Sequence, residues 1–140
     1  MDIQNEKCVM VIDGSLPTGI IANTAAILGI TLGKLMPEVV GADVLDNTGK
    51  EHPGIIEFPV PVLKGDAEEI RKIRERLYEP EFSELTAADF SDLAQGCKTY
   101  GEFIGKMEGA AEEELHYLGI VVCGAKKKVN KLTGSMALLR

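Results

Sequence analysis

The stretch VMVIDGSLPTGIIANTAAILG, Val9 to Gly29, constrains the fold more than any other part of the chain. It joins four consecutive apolar residues to a long apolar segment through a turn of Asp, Gly, Ser, Pro and Thr. The run Val9 to Ile12 suits a strand buried on both faces. Pro17 and Thr18 open a helix, because a first-turn proline loses no hydrogen bond. From Ile20 to Met36 apolar residues fall on nearly every side. The spacing therefore predicts a deeply buried helix, which Pro37 ends.

A chain of 140 residues suits one domain, 1–140, with a single core. At 45% hydrophobic and 26% charged residues it is globular rather than disordered or fibrous. Aromatics are only 5%, with no Trp, so the core rests on aliphatic side chains and Met. In the sequence no apolar run reaches the roughly 18–20 residues that span a bilayer. The opening MDIQNEK is polar and acidic, unlike a secretory signal. Three cysteines point to reduced thiols rather than a disulfide framework, with Cys8 and Cys123 as inert thiols buried in strands. A cytoplasmic protein with no membrane partner is the resulting expectation.

Net charge is −7 but uneven. From His116 onward the chain carries Lys126, Lys127, Lys128, Lys131 and Arg140 with no Asp or Glu, leaving −12 on the first 115 residues. The lysines read as a solvated face balancing acidic neighbours, or as a patch that meets an anion. General nucleic-acid binding fits an acidic chain poorly, since Lys and Arg neutralising phosphates supply most of that affinity.

The remaining elements alternate. GADVLDNTGKEHPGI reads as an exposed hairpin turning at Asn47–Gly49. Ile55 to Leu63 is β-rich, with Pro59 and Pro61 arguing for an edge or a strand end. In GDAEEIRKIRERLYEP, Asp66 and Glu69 have capping-box spacing, and Ile70, Ile73 and Leu77 form one apolar face. Thr99 and Glu102 repeat that box before Tyr100, Phe103, Ile104 and Met107. YLGIVVCG is a strand, whereas residues 85–95 fit either a strand or a helix. Strands alternating with helices indicate a layered α/β domain.

No GxGxxG, Walker-type loop or G-x-S-x-G elbow is present in the sequence. His52 and His116 are isolated and the cysteines lack C-x-x-C spacing, so neither metal nor cofactor is expected. His116, directly before a strand, reads as a strand-end hydrogen-bonding group or as a general base.

Asp13, Leu16, Gly19, Ile20, Ala22, Asn23, Thr24 and Ile27 stand where type II peptidyl-tRNA hydrolases, the archaeal and eukaryotic kind, read approximately D-x-x-M-x-x-G-K-x-A-A-Q-x-x-H-A. Leu132, Thr133, Gly134, Met136 and Leu138 follow that family's closing V-T-G-x-L-x-L. The chain thus resembles that family at both ends. Over its full length, including HPGI, FPVPVL, DF and YLGI, it also resembles a small uncharacterised bacterial group, a domain of unknown function related in fold to those hydrolases. The resemblance implies a three-layer α-β-α sandwich with a small mixed sheet, and a homodimer.

The departures bear on activity. The family's active-site Lys and His are Ile20 and Ile27 here, and Ile can neither stabilise an anionic transition state nor transfer a proton. The motif Gln is Thr24. The family's active-site Asp, in D-A-G-x-T-Q, corresponds to Asp89 or Asp92 of DFSDLAQ. Peptidyl-tRNA hydrolysis by the familiar mechanism is therefore not expected.

Three functions remain. The first is a non-hydrolytic module that holds a small anionic ligand or an RNA end at the first strand–helix turn. Asp13, Gly14, Ser15, Thr18 and Gly19 would form it, with Asn23, Thr24, Lys126 and Lys127 lining the same pocket. Alternatively, Asp13, Ser15 and Thr18 merely satisfy the turn and cap the helix. The second is a hydrolase with altered acid–base residues drawn from Asp89, Asp92 and His116. The third is a structural protein whose first helix and short tail serve dimerisation.

Overall fold

The computed structural model describes Asp2 and residues 4–140. In chain order the elements are β1 (Glu6–Asp13), α1 (Thr18–Leu35), β2 (Val44–Leu45), β3 (Glu51–His52), β4 (Val62–Gly65) and α2 (Ala67–Arg76). They continue with β5 (Thr86–Ser91), α3 (Asp92–Gln95), α4 (Tyr100–Glu108), β6 (Tyr117–Ala125) and α5 (Lys126–Thr133). Residues 85–95 resolve into both readings, a strand and then a short helix. The β-rich stretch from Ile55 becomes a strand only at Val62, after its two prolines.

A mixed four-stranded sheet runs in the order β4-β1-β6-β5. β1 pairs in parallel with β4, while β6 is antiparallel to both β1 and β5. The carboxyl ends of β1, β4 and β5 therefore share one end of the sheet with the start of β6. One face packs under α1 through Leu28 and Leu32 against Met10, Ile12, Phe90 and Val121. The other packs under α2 and α5 through Ile70, Ile73, Val129 and Leu132 against Val9, Val11, Ile120 and Val122. Alternate residues of the same strands thus feed two cores, which is why both central strands are apolar without interruption.

Several local choices are visible. Asp66 accepts the Glu69 N–H at 2.8 Å and Thr99 accepts the Glu102 N–H at 3.1 Å, so both predicted caps form. Gly49 takes φ +84° in the β2–β3 turn, a conformation most residues avoid. Gly119 of β6 lets α1 settle closely. A Cβ there would come within 2.6 Å of Thr24 Cγ2. The outer edge of β4 is covered by the chain's own tail, with Lys64 N–H donating to Ala137 O at 2.8 Å and Leu139 N–H to Val62 O at 2.9 Å.

Three expectations are corrected. α1 is not deeply buried: of its 18 residues only Thr24, Leu28 and Leu32 are. It also has the length and composition that could cross a membrane, with mean hydropathy 1.3 over 18 residues, because an average tolerates Asn23, Thr24 and Thr31, which interrupt an unbroken apolar run. Here it lies on the sheet. Finally, Cys8 and Cys123 are not two separate thiols. They face each other across β1 and β6 with Cα atoms 4.1 Å apart and are joined as a disulfide, leaving Cys97 free. Pairing between strands distant in sequence is what the cysteine count could not reveal.

Candidate functional site

Two concavities open where the sheet places polar side chains. The first lies between the carboxyl ends of β1 and β4. From these parallel neighbours the chain leaves to opposite faces, into α1 and α2, the kind of switch point where open α/β sheets commonly bind ligands. The crevice there, about 470 Å³, is lined by Asp13, Ser15, Lys64, Gly65, Asp66 and Glu69, among others.

Its chemistry differs from the expected anion cradle. Asp13 is buried, and its Oδ1 accepts both the Ser15 N–H at 2.9 Å and the Ser15 hydroxyl at 2.7 Å. The turn thus closes on itself, as in an Asx turn. Gly14 lies under the aliphatic stem of Lys64. Asp13, Asp66 and Glu69 outnumber Lys64, so the crevice carries negative charge that opposes an anion.

The other predicted ligands are dispersed. Thr18, Gly19 and Asn23 are exposed along the outside of α1, and Thr24 is fully buried with its hydroxyl donating to Ile20 O at 2.7 Å. Lys126 and Lys127 lie at the far end of the sheet. β6 is antiparallel to β1, so Ala125 pairs with Glu6 rather than with Asp13. At about 3.3 Å per residue, seven positions separate the lysines from the turn by roughly 20 Å. These two lysines cannot line its pocket.

The second concavity follows the edge strand β5. A cleft of about 500 Å³ is bounded on one side by Asp89, Phe90 and Ser91 of β5 with Ile27 and Thr31 of α1. The other wall is Ala94, Cys97 to Thr99, and Tyr100, Phe103 and Met107 of α4. Gly96 and Cys97 end α3, and the Thr99 cap then starts α4 back across the edge. Cys97 Sγ donates to Leu93 O at 3.0 Å. Lys98 is exposed at the rim, its backbone N–H donating to Glu102 Oε2 at 3.0 Å.

Of the predicted acids, Asp89 alone borders this cleft. Its carboxylate turns toward α2, where Arg74 Nε stands 3.3 Å away. Burial pushes the Asp89 carboxyl above the ordinary carboxylate value, Arg74 opposes that shift, and Glu112 adds to it. Beside this pair Arg71 donates to the backbone carbonyl of Glu112 at 3.1 Å and to Leu115 O, and stacks 5.3 Å from the Tyr117 ring centroid. The Tyr117 hydroxyl donates to Glu112 Oε1 at 2.7 Å. Burial, then that hydrogen bond to a carboxylate, pushes the phenol well above its usual range.

Asp92 and His116 serve a chain crossing instead. Asp92 N–H donates to His116 O at 2.9 Å, and His116 N–H donates to Asp92 Oδ1 at 3.1 Å, tying the end of β5 to the start of β6. The three acid–base candidates therefore do not converge on one reacting position. Cys97, Lys98, Phe103 and Met107 were missed as cleft residues. Phe103 and Met107 were signalled only by the apolar face of α4, which names no partner, and no motif marks Cys97 or Lys98.

The comparisons agree with the fold. A solved structure of a protein of unknown function from Agrobacterium tumefaciens str. C58 is similar over 96% of this chain and 97% of that one, with TM-score 0.86 and 19% identity. That likeness shows the architecture. No curated protein matches the chain. Residues 6–140 match a family model described as Protein of unknown function (DUF2000).

Proposed function

The chain belongs to the DUF2000 family of proteins of unknown function, and from that premise we propose that it is a binding module for a small amphipathic anion held in the β5–α4 cleft. The apolar body of the ligand rests on Ile27, Phe90, Phe103 and Met107, and its negative head reaches Lys98 at the rim. One observation carries this reading: an apolar-walled cleft of about 500 Å³, within the usual size of small-molecule sites, has its one lysine at the mouth. The other charged wall residue, Asp89, is already paired with Arg74.

The test is a calorimetric and thermal-shift series of aryl and alkyl carboxylates beside their neutral amides. Carboxylates are expected to raise the melting temperature and the amides to do so less. Phe103→Ala should weaken the whole series at least tenfold, whereas Lys98→Gln should weaken only the carboxylates. No shift across the series, or shifts indifferent to Phe103→Ala, would remove the cleft from consideration.

A second reading is a hydrolase with altered acid–base residues. What favours it is a carboxyl raised by burial at a cleft wall, a common trait of general acids and bases. Against it, Asp89 faces Arg74, and Ile27 presents only hydrocarbon to the cleft. Incubation with peptidyl-tRNA separates the readings. Turnover abolished by Asp89→Ala would support hydrolysis; no turnover is the outcome expected of a binding module.

A further inference from the structure

The two edges of the sheet are finished differently. Along β4 the chain's own tail takes up outward backbone groups, through Lys64 N–H to Ala137 O, Leu139 N–H to Val62 O and a bridge between Leu63 and Leu138. β5, at the other edge, has no such cover. Among the described residues, no backbone group from Thr86 to Ser91 takes a backbone partner other than β6. In an antiparallel pair alternate residues point their N–H and C=O away from the neighbouring strand, so β5 presents a short row of free donors and acceptors.

The usual protections of such an edge are weak here. TAADFS holds no Pro and no Lys, and its one charged side chain, Asp89, turns to Arg74 of α2. Pairing with β6 stays regular from Thr86 until the bulge at Phe90–Ser91. This open edge runs into the cleft, where Asp89, Phe90 and Ser91 form one wall and α4 the opposite one. Lys98 at the mouth enters none of the ion pairs formed among the described residues.

We propose that the β5 edge and the cleft together take the carboxyl-terminal end of an extended peptide. This rests on the reading of the cleft as a site for an amphipathic anion, and specifies that the anion is a chain end. The peptide backbone pairs with β5, its last apolar side chain enters beside Phe90 and Phe103, and its terminal carboxylate meets Lys98. Two arguments select that occupant. Charge complementarity favours a chain end over an internal segment, because only the end carries a carboxylate on its backbone. The open edge favours a peptide over a fatty acid or an aryl carboxylate, which fill the cleft and leave the backbone row unpaired.

Calorimetry on the full chain tests this with an acetylated tetrapeptide of valine and threonine ending in leucine. The free acid should bind at least tenfold more tightly than its carboxamide, and tenfold more tightly than isocaproate, which copies the leucine end without the backbone. Lys98→Gln should bring the acid down to the level of the amide. N-methylation of one peptide nitrogen at a time should weaken binding about tenfold at alternate positions and little between them, the signature of strand pairing. In the free protein, amide exchange should be fast at alternate residues from Thr86 to Phe90, and slow there once the tetrapeptide is added. Isocaproate binding as tightly as the tetrapeptide, with N-methylation without effect, overturns the peptide and leaves the amphipathic-anion site standing. Binding of neither probe overturns both. Slow exchange at every residue of β5 in the free protein shows an edge already covered, as by a second copy of the chain, and also overturns the proposal.

Discussion

Asp89 sits where sheet edge, arginine pair and cleft meet, and its titration is measurable. In acid well below pH 3.8 it is neutral in folded and unfolded chains alike. As pH rises past the ordinary 3.8 the unfolded chain releases its proton first, while the fold still holds it. Asp89 therefore lowers stability across the window from 3.8 up to its raised folded value, and contributes no further slope above it. Urea unfolding from pH 3.5 to 6 should show a smaller fall with pH in Asp89→Asn than in the parent. An equal slope would mean that Arg74 has cancelled the effect of burial. Gly119 makes a second residue-scale prediction. Gly119→Ala drives a methyl group into Thr24 and Leu28, which cannot move away without lifting α1. Overpacking of this kind costs about 1–3 kcal/mol, to be read from the denaturation midpoint.

At the scale of elements, the hairpin arm is held by its turn rather than by a core. Asp46 Oδ1 accepts the Thr48 N–H at 2.8 Å, the Thr48 hydroxyl at 2.6 Å and the Lys50 N–H at 3.1 Å, while Oδ2 lies 2.9 Å from His52 Nε2. These bonds, the Thr48 hydroxyl and His52 foremost, hold its carboxyl far below the usual range. Their contribution is complete above pH 3.8 and is lost only as pH falls through the depressed folded value. Asp46→Ala should speed amide exchange from Val44 to His52 and leave the domain's melting temperature nearly unchanged. Such turn chemistry is readable in sequence: DNTG between short β-prone runs announces the hairpin, and the boxes at Asp66 and Thr99 announce their helices. What α1 buries was not readable. Its apolar residues encircle the helix, so periodicity could not distinguish the face on the sheet from the face left outside.

At the scale of the molecule, the order of strands decides which residues meet, and order is not a local property. The sequence at Asp13, Ser15 and Lys126 is compatible with one pocket until β6 proves antiparallel to β1. The same pairing brings Cys8 to Cys123 across 115 residues. A link closing so long a loop restricts the unfolded chain, and its reduction should lower stability by about 4–5 kcal/mol. Chemical denaturation with and without a phosphine reductant measures this, and alkylation of the unreduced, unfolded chain should label Cys97 alone. The β5–α4 cleft was likewise out of reach, because its walls lie on segments joined only by the reversal at Gly96.

β6 follows every other strand in the sequence yet lies between β1 and β5. During synthesis from the amino end, neither the first strand nor the fifth has its central neighbour until residues 117–125 leave the ribosome. Until then the nascent chain has two strands with open edges, and α1 has only part of the sheet it will rest on. The domain thus gains its native state late and all at once, and truncations before Tyr117 should yield chaperone clients rather than smaller folded units.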